Sequence, residues 1–458
     1  MGRTQRKRKL KQANKFYTCN NEQDLIALNS WLSKHDVRYS KKLVMAVFDD
    51  TGRGVLTKKK IKAGEELMSL PLNLTINVCS LLTDSAFCDI FTSNTSVCLQ
   101  DYKKSVTFQC LLAFYILYLK SQGLSSKWHI YLESLPKEYT VPYFLPSDIQ
   151  SHLHKEILSV IENQRNIIDK SFNIFKDILC SCISDIPTVK SFKEYLSMSK
   201  YEWAYFTVNT RCVFMDLTNI VDFRNLSDTI LSLITDNTKI SLCPYLDMIN
   251  HDRNAKNETR LKINKDLSFT PVSKLEEDTF SAVRFSIYTK NNFEPFSQVF
   301  ICYGDSHNSK LITEYGFFLP HNELDSIIFD FDKIVYYFKE TGVCLSSDQT
   351  AFIINHGLNK DLYIDSKGLS FNFYGLLMAA KYYYKEDVNI SKLIYTAAVQ
   401  ADDSVLTDFI KPLVRCELDD LRIRINNLNS CRPCVILDNC IIVQYNILYF
   451  SYNDDYWF

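Results

Sequence analysis

The residues that could do chemistry cluster in Pro244 to Asp252, PYLDMINHD. An apolar run of Tyr245, Leu246, Met248 and Ile249 carries Asp247 inside it and ends on Asn250, His251 and Asp252. Three readings fit these residue types. If the stretch were helical, Asp247 and His251, four apart, would share a face and with Asp252 could ligate a divalent metal for hydrolysis. Asn and Asp also favour helix ends and turns, so the run could be a cap with His251 satisfied in the core. The third reading is a pocket whose apolar residues are anchors and whose polar residues meet a ligand.

The elements around this stretch decide what could position it. Helical periodicity runs through Glu22–Lys34, Phe108–Lys120, Ile149–Leu179 and Ser191–Thr207. Short strands are expected at Val44–Phe48, Gly54–Thr57 and Glu66–Leu70, with a turn over Lys62–Glu65. Strand patterns return at Leu261–Ile263, Thr279–Tyr288 and Gln298–Cys302. From about Glu323 on, helices dominate, including Leu376–Tyr384, Ser391–Gln400 and Asp403–Leu428. Two strand-rich blocks therefore flank a helical insert and a helical region follows, an α+β order rather than alternating β and α.

The chain has 458 residues with 46% hydrophobic and 23% charged content, ordinary for a folded protein of more than one domain. Its formal net charge of −1 gives no global signal for a polyanion. The local exception is Arg3, Arg6, Lys7, Arg8, Lys9 and Lys11, a basic arm too polar to bury surface. It suits a solubilising tail, a nuclear-import signal or a nucleic-acid contact. Direct nucleic-acid binding is not expected elsewhere. Arg6 stands where an N-myristoylation motif wants Ser or Thr, and no apolar stretch after the basic residues reads as a secretory signal. The run Leu111–Leu119 is too short to span a bilayer, so no membrane partner is expected. Fifteen scattered cysteines read as reduced thiols of cytosol or nucleus. Cys431 and Cys434 have zinc-knuckle spacing but no second pair, so no metal site is assigned.

Only 11 glycines occur, and Gly52, Gly54, Gly64, Gly304 and Gly316 fall in the strand-rich blocks. Thr51-Gly-Arg-Gly54 would let backbone approach a ligand, but it is neither a dinucleotide fingerprint nor a P-loop.

Five motifs in order then carry a resemblance: TGRGV (Thr51–Val55), WHIYLESLPKEYTVP (Trp128–Pro142), WAYFTVNTR (Trp203–Arg211) before PYLDMINHD, VFICYG (Val299–Gly304), and EYGF (Glu314–Phe317). Together they resemble the SET-domain protein methyltransferases, in the subclass of Rubisco large-subunit methyltransferase. The resemblance covers about residues 20 to 420. It implies a split SET β-fold with a helical insert and an all-helical C-terminal domain. The parts expected are an arm at 1–20, SET segments at 21–90 and 239–320, the insert at 91–238, and a substrate-binding domain at 321–458.

The same resemblance implies S-adenosylmethionine as cofactor and methyl transfer to a lysine of a protein substrate, with a histone tail as one candidate. A histidine acceptor, a metal-dependent hydrolase and a non-catalytic binding module are the alternatives. By resemblance Asn250 and His251 contact the cofactor, Asp247 supports the turn, and the backbone of Thr51, Gly52 and Arg53 lies against it. Arg211 would reach its carboxylate, and Tyr315, Gly316 and Phe317 would close the adenine side. Tyr303 matches the active-site tyrosine. A monomer found in cytoplasm and nucleus is the expected form.

Overall fold

The computed structural model describes residues 16–19, 22–93, 99–223, 230–263, 270–276, 279–320, 322–365, 367–386, 389–396 and 403–450, with backbone alone at 403–409 and 445–450. The basic arm lies outside the described residues. The chain divides into two compact units: Met1–Tyr139 with Gln164–Asp305, and Thr140–Asn163 with Ser306–Phe458.

The first unit is built on a five-stranded sheet. Its strands are β1 (Phe16–Thr18), β2 (Leu43–Phe48), β3 (Gly52–Thr57), β4 (Asn250–His251) and β5 (Gln298–Ile301), in the order β1-β2-β3-β5-β4. The apolar run Leu43–Phe48 supplies a strand buried on much of its length. It pairs antiparallel with β3 from Leu43↔Thr57 to Phe48↔Gly52. That register leaves a three-residue loop, Asp49–Thr51. Gly52 follows at φ +66, the positive dihedral such hairpins require. Strand β5 is antiparallel to β3 (Val299↔Val55) and parallel to β4 (Phe300↔Asn250, Ile301↔His251). The same unit holds a four-stranded sheet of Arg38–Tyr39, Glu66–Pro71, Arg284–Thr289 and Asn257–Lys262, and a strand pair of Cys212–Phe214 with Ile240–Leu242 directly after Arg211.

Helix α1 (Phe108–Ser121) is buried along nearly its whole apolar run, from Cys110 to Leu119. It packs against α2 (Met198–Arg211). The Tyr201 hydroxyl donates to the Cys110 carbonyl at 3.3 Å and to Ser171 Oγ at 2.9 Å, so the polar end of this buried aromatic is satisfied.

Two of the expected helical stretches, Ile149–Leu179 and Ser191–Thr207, are each interrupted once. Ser147–Gln150 is a short helix, and the long one begins at Lys155 and ends at Ser181. Between them Gln150 Nε2 donates to the carbonyls of Tyr143 and Leu145, both at 2.9 Å, which ties the break to preceding chain. Likewise Pro187–Tyr195 and α2 are separate helices, parted by extended backbone at Leu196 and Ser197.

The second unit is helical, as expected, through Phe331–Glu340, Ser347–Asn355, Phe371–Tyr382, Ile390–Tyr395, Asp403–Asn429 and Val435–Phe450. It is not helical throughout. Ser326–Ile328, Tyr363–Asp365 and Gly368–Leu369 form a three-stranded antiparallel sheet that periodicity did not reveal. Among the described residues, no helix is long and apolar enough to cross a membrane.

Candidate functional site

The stretch 245–251 turns out not to be a helix. Tyr245 sits at φ +72, ψ −39, a conformation that costs a non-glycine residue on the order of 1–3 kcal/mol. Burial holds it there: Tyr245 is fully enclosed and its ring stacks on Tyr39 at 4.8 Å. One 3-10 turn, Leu246–Met248, follows, and then β4. Asp247 and His251 therefore do not share a helical face, and the metal geometry considered from their spacing is not formed. Among the described residues, no group of three or more His, Cys, Asp or Glu is arranged to hold a metal ion.

Three contacts radiate from this segment. The first reaches the glycine loop. Asn250 Nδ2 donates to the carbonyls of Arg53 at 3.1 Å and Thr51 at 3.4 Å. Thr51 Oγ1 donates to Gln298 Oε1 at 3.0 Å. A Cβ on Gly54 would stand 2.6 Å from Gln298 Nε2 and 2.7 Å from Asn250 Nδ2, so a larger residue there would displace both amide side chains. Gly52, by contrast, faces open space. The Arg53 guanidinium donates to the Ser134 carbonyl at 3.1 Å.

The second contact reaches the tyrosine. Tyr303 follows β5, and its backbone N–H donates to His251 Nδ1 at 3.0 Å. That bond requires Nδ1 to be unprotonated, and burial pushes the His251 imidazole below its ordinary pKa. The Tyr303 hydroxyl donates to the Ile249 carbonyl at 2.7 Å, and the two rings lie 5.1 Å apart. Gly304 at φ +126 turns the chain immediately afterwards.

The third contact is a buried ion pair. Arg211, the last residue of α2, donates through Nη1 to Asp247 Oδ2 and to the Asp247 carbonyl, both at 3.2 Å. Tyr131 donates its hydroxyl to the same Oδ2 at 3.1 Å. The Asp247 side chain is wholly enclosed and that of Arg211 is 19% exposed. Burial pushes the Asp247 carboxyl up, opposed by Arg211. Burial works to lower Arg211, but Asp247 and the tyrosines outweigh it and hold the guanidinium charged. Arg211 Nε and Asp247 Oδ1 have no hydrogen-bond partner among the described residues. A buried donor on a cation, left over after its ion pair is made, suits a carboxylate ligand.

Thr51, Gly52, Arg53, Arg211, Asp247, Asn250, His251 and Tyr303 all belong to the first unit. Tyr315, Gly316 and Phe317 belong to the second. There Gly316, at φ +80, ends the helix Asn308–Tyr315, and its carbonyl accepts from Thr140 Oγ1 at 3.1 Å. The rings of Tyr315 and Phe317 are 5.9 Å apart. Sequence reasoning missed Gln298, Tyr131 and the Ile249 carbonyl. Tyr131 lay in plain view inside the motif beginning at Trp128, but nothing local ties it to Asp247, 116 residues on. Three concavities of the first unit, of about 380, 390 and 530 Å³, are lined by other residues.

No protein-family model matches the chain. It is 26% identical over 420 residues to SET domain-containing protein 4 of Artemia parthenogenetica, covering 91% of this chain and 92% of that protein. It is 25% identical over 359 residues to the ribosomal lysine N-methyltransferase set11 of Schizosaccharomyces pombe, 77% of this chain and 73% of that one. Its structure superposes on the SET domain of LSMT bound to lysine and AdoHcy with a TM-score of 0.58 at 14% identity, covering 94% of this chain and 90% of the other. The fold is that of the SET-domain methyltransferases. Within that SET fold, the split between Glu66–Pro71 and β4 is filled by the helices described above, and β4 and β5 close the sheet beside the glycine loop.

Proposed function

We propose that the protein transfers methyl groups from S-adenosylmethionine to lysine side chains of a protein substrate. One observation supports this above the others. A single short segment, 247–251, links the glycine loop through Asn250, a buried guanidinium through Asp247, and the hydroxyl of Tyr303 through the Ile249 carbonyl. The similarity to proteins named as lysine methyltransferases, and to LSMT with lysine and AdoHcy bound, supports the same reading.

The cofactor supplies an electrophilic methyl group on a positively charged sulfur. Arg211 would hold its carboxylate through Nε. The backbone at Thr51–Arg53 offers close approach, since Gly52 carries no side chain and faces open space. Asn250 fixes that loop. The acceptor amine must be neutral, which for a lysine of pKa about 10.4 costs roughly 4–5 kcal/mol at pH 7. Burial and a neighbouring positive charge both lower that cost, so no strong base is required. The Tyr303 hydroxyl and the Ile249 carbonyl form a donor and acceptor pair that can orient an amine and strip its water. An imidazole acceptor is less well served, because Cys212 and Val213 after Arg211 offer it no strong polar partner.

Calorimetry with S-adenosylmethionine on chelator-treated protein should show binding. Tyr303→Phe should keep that binding and the melting temperature while turnover on substrate proteins, histone tails first among them, drops about 30- to 1000-fold. That range corresponds to one aligned polar contact of about 2–4 kcal/mol in the barrier. Wild-type turnover by Tyr303→Phe would make the tyrosine a packing residue only.

A further inference from the structure

The tryptophans differ in what their indole N–H groups meet. Trp31 Nε1 donates to the Lys127 carbonyl at 3.1 Å, and Trp203 Nε1 to the Pro136 carbonyl at 2.9 Å. Trp128 is 1% exposed, more deeply buried than Trp31, yet its Nε1 has no hydrogen-bond partner among the described residues. A buried indole N–H usually finds a partner, and leaving it unpaired costs about 1–3 kcal/mol. The Trp128 backbone N–H does find one, Ser126 Oγ at 3.2 Å, so the shortfall is confined to the ring.

Trp128 stands in the wall of the cavity of about 380 Å³, and of the three concavities noted above only this one is lined by it. That volume falls in the range of small-molecule sites, roughly 300–1,000 Å³. The wall lies wholly in the first unit, and none of Thr51–Arg53, Arg211 or Asp247–His251 belongs to it.

The wall carries charges of both signs. Lys127 supplies a cation, its Nζ 5.6 Å from the centre of the Trp128 ring. Asp84 supplies a partly buried anion. Burial pushes its carboxyl up, opposed by its bonds to Phe87 and Tyr115 and by the Lys127 ammonium. Oδ1 accepts from the Phe87 N–H at 3.0 Å and Oδ2 from the Tyr115 hydroxyl at 3.3 Å. Those bonds cap a helix and satisfy a core tyrosine, and each oxygen keeps a second lone pair. Leu72, Leu119 and Phe280 add apolar surface.

A ligand matched to this wall needs an acceptor for the indole N–H and a negative charge for Lys127. It also needs a cationic donor for Asp84 close by, and an apolar body beyond. An inorganic anion would be repelled by Asp84, and a hydrocarbon would leave the indole unpaired. A zwitterion whose carboxylate and ammonium share one carbon, with an apolar side chain, meets every need.

We infer that this cavity binds a free α-amino acid with an apolar side chain, its carboxylate on Trp128 Nε1 and Lys127 and its ammonium on Asp84. The inference does not depend on the methyltransferase reading.

Full-length protein with isotope-labelled tryptophan tests it by nuclear magnetic resonance, with L-leucine as the probe. The Trp128 indole resonance, assigned as the one lost in Trp128→Phe, should move downfield saturably with a Kd of about 1 mM or tighter, while that of Trp203 holds. N-acetyl-leucine lacks the ammonium and isopentylamine lacks the carboxylate, so each should bind at least about tenfold more weakly. Lys127→Met, at an exposed position, should weaken leucine binding about as much and keep the melting temperature. Calorimetry reads the same affinities without recourse to Trp128→Phe. No saturable leucine binding, equal binding of either analogue, an unmoved Trp128 resonance at saturation, or full affinity in Lys127→Met would each overturn the inference.

Discussion

Each unit of the molecule buries a carboxylate against cations, and the two do so differently. Asp247 in the first unit is held by aligned hydrogen bonds from Arg211 and Tyr131. Glu417 in the second, with its side chain 5% exposed, lies 2.7 Å from Lys333 Nζ and 3.7 Å from Lys155 Nζ. Its Oε1 makes no aligned hydrogen bond, and both lysine side chains are 40% exposed. One centre is directional and closed, with a donor to spare. The other is a loose attraction between a buried anion and cations that remain in water. Directional burial of this kind fixes geometry, which a ligand site needs; loose pairing only neutralises charge.

The comparison breaks most visibly on removal of each acid. Asp247→Ala leaves Arg211 buried without its counter-ion and should cost about 3–5 kcal/mol in denaturant unfolding. Glu417→Ala frees two lysines that can turn to solvent, so ion-pair loss should contribute only about 1 kcal/mol or less. Equal losses would show that alignment is not what separates the two centres.

Acid titration sharpens it next. Burial, assisted by Lys155, lowers His154 beside Glu417 from 6.5 to about 4. The unfolded chain then takes up a proton that the folded one refuses. The stability is complete above about pH 6.5 and is lost as pH falls toward 4, amounting to about 2 kcal/mol at pH 5. His154→Phe should remove that slope from urea midpoints measured between pH 7 and 5; an unchanged slope would assign it elsewhere.

Smallest is Tyr131→Phe, which deletes one bond to Asp247 and should cost about 1 kcal/mol of stability. Because Arg211 depends on Asp247 for its aim, cofactor affinity should weaken by about threefold or more. A stability loss without any change in affinity would make Tyr131 a core residue only.

Much of this was legible in the sequence and some was not, for physical reasons. Val44–Phe48 and Glu66–Leu70 could be read because each is a short apolar run bounded by turn residues, and each is found with one extra residue. The break after Gln150 was hidden because no glycine or proline stands at 151–154 to mark it. The small sheet of the second unit escaped because two- and three-residue strands are shorter than any period can register. At the site, the polar run drew attention to Asn250 and His251, and the family resemblance alone pointed to Tyr303. The bond between Arg211 and Asp247 joins residues 36 apart, and only the fold supplies that coincidence.

The order of strands has a consequence for how the protein is made. Strand β3 is complete at Thr57, yet the partner on its outer edge, β5, starts only at Gln298. A nascent chain therefore carries an unpaired strand edge through most of its synthesis, a template for pairing with the wrong chain. When β5 emerges it covers that edge and in the same stroke captures β4 on its other side. The bonds from Asn250 to the glycine loop and from Tyr303 to Ile249 close only then, so the newborn protein acquires its reaction centre late and all at once.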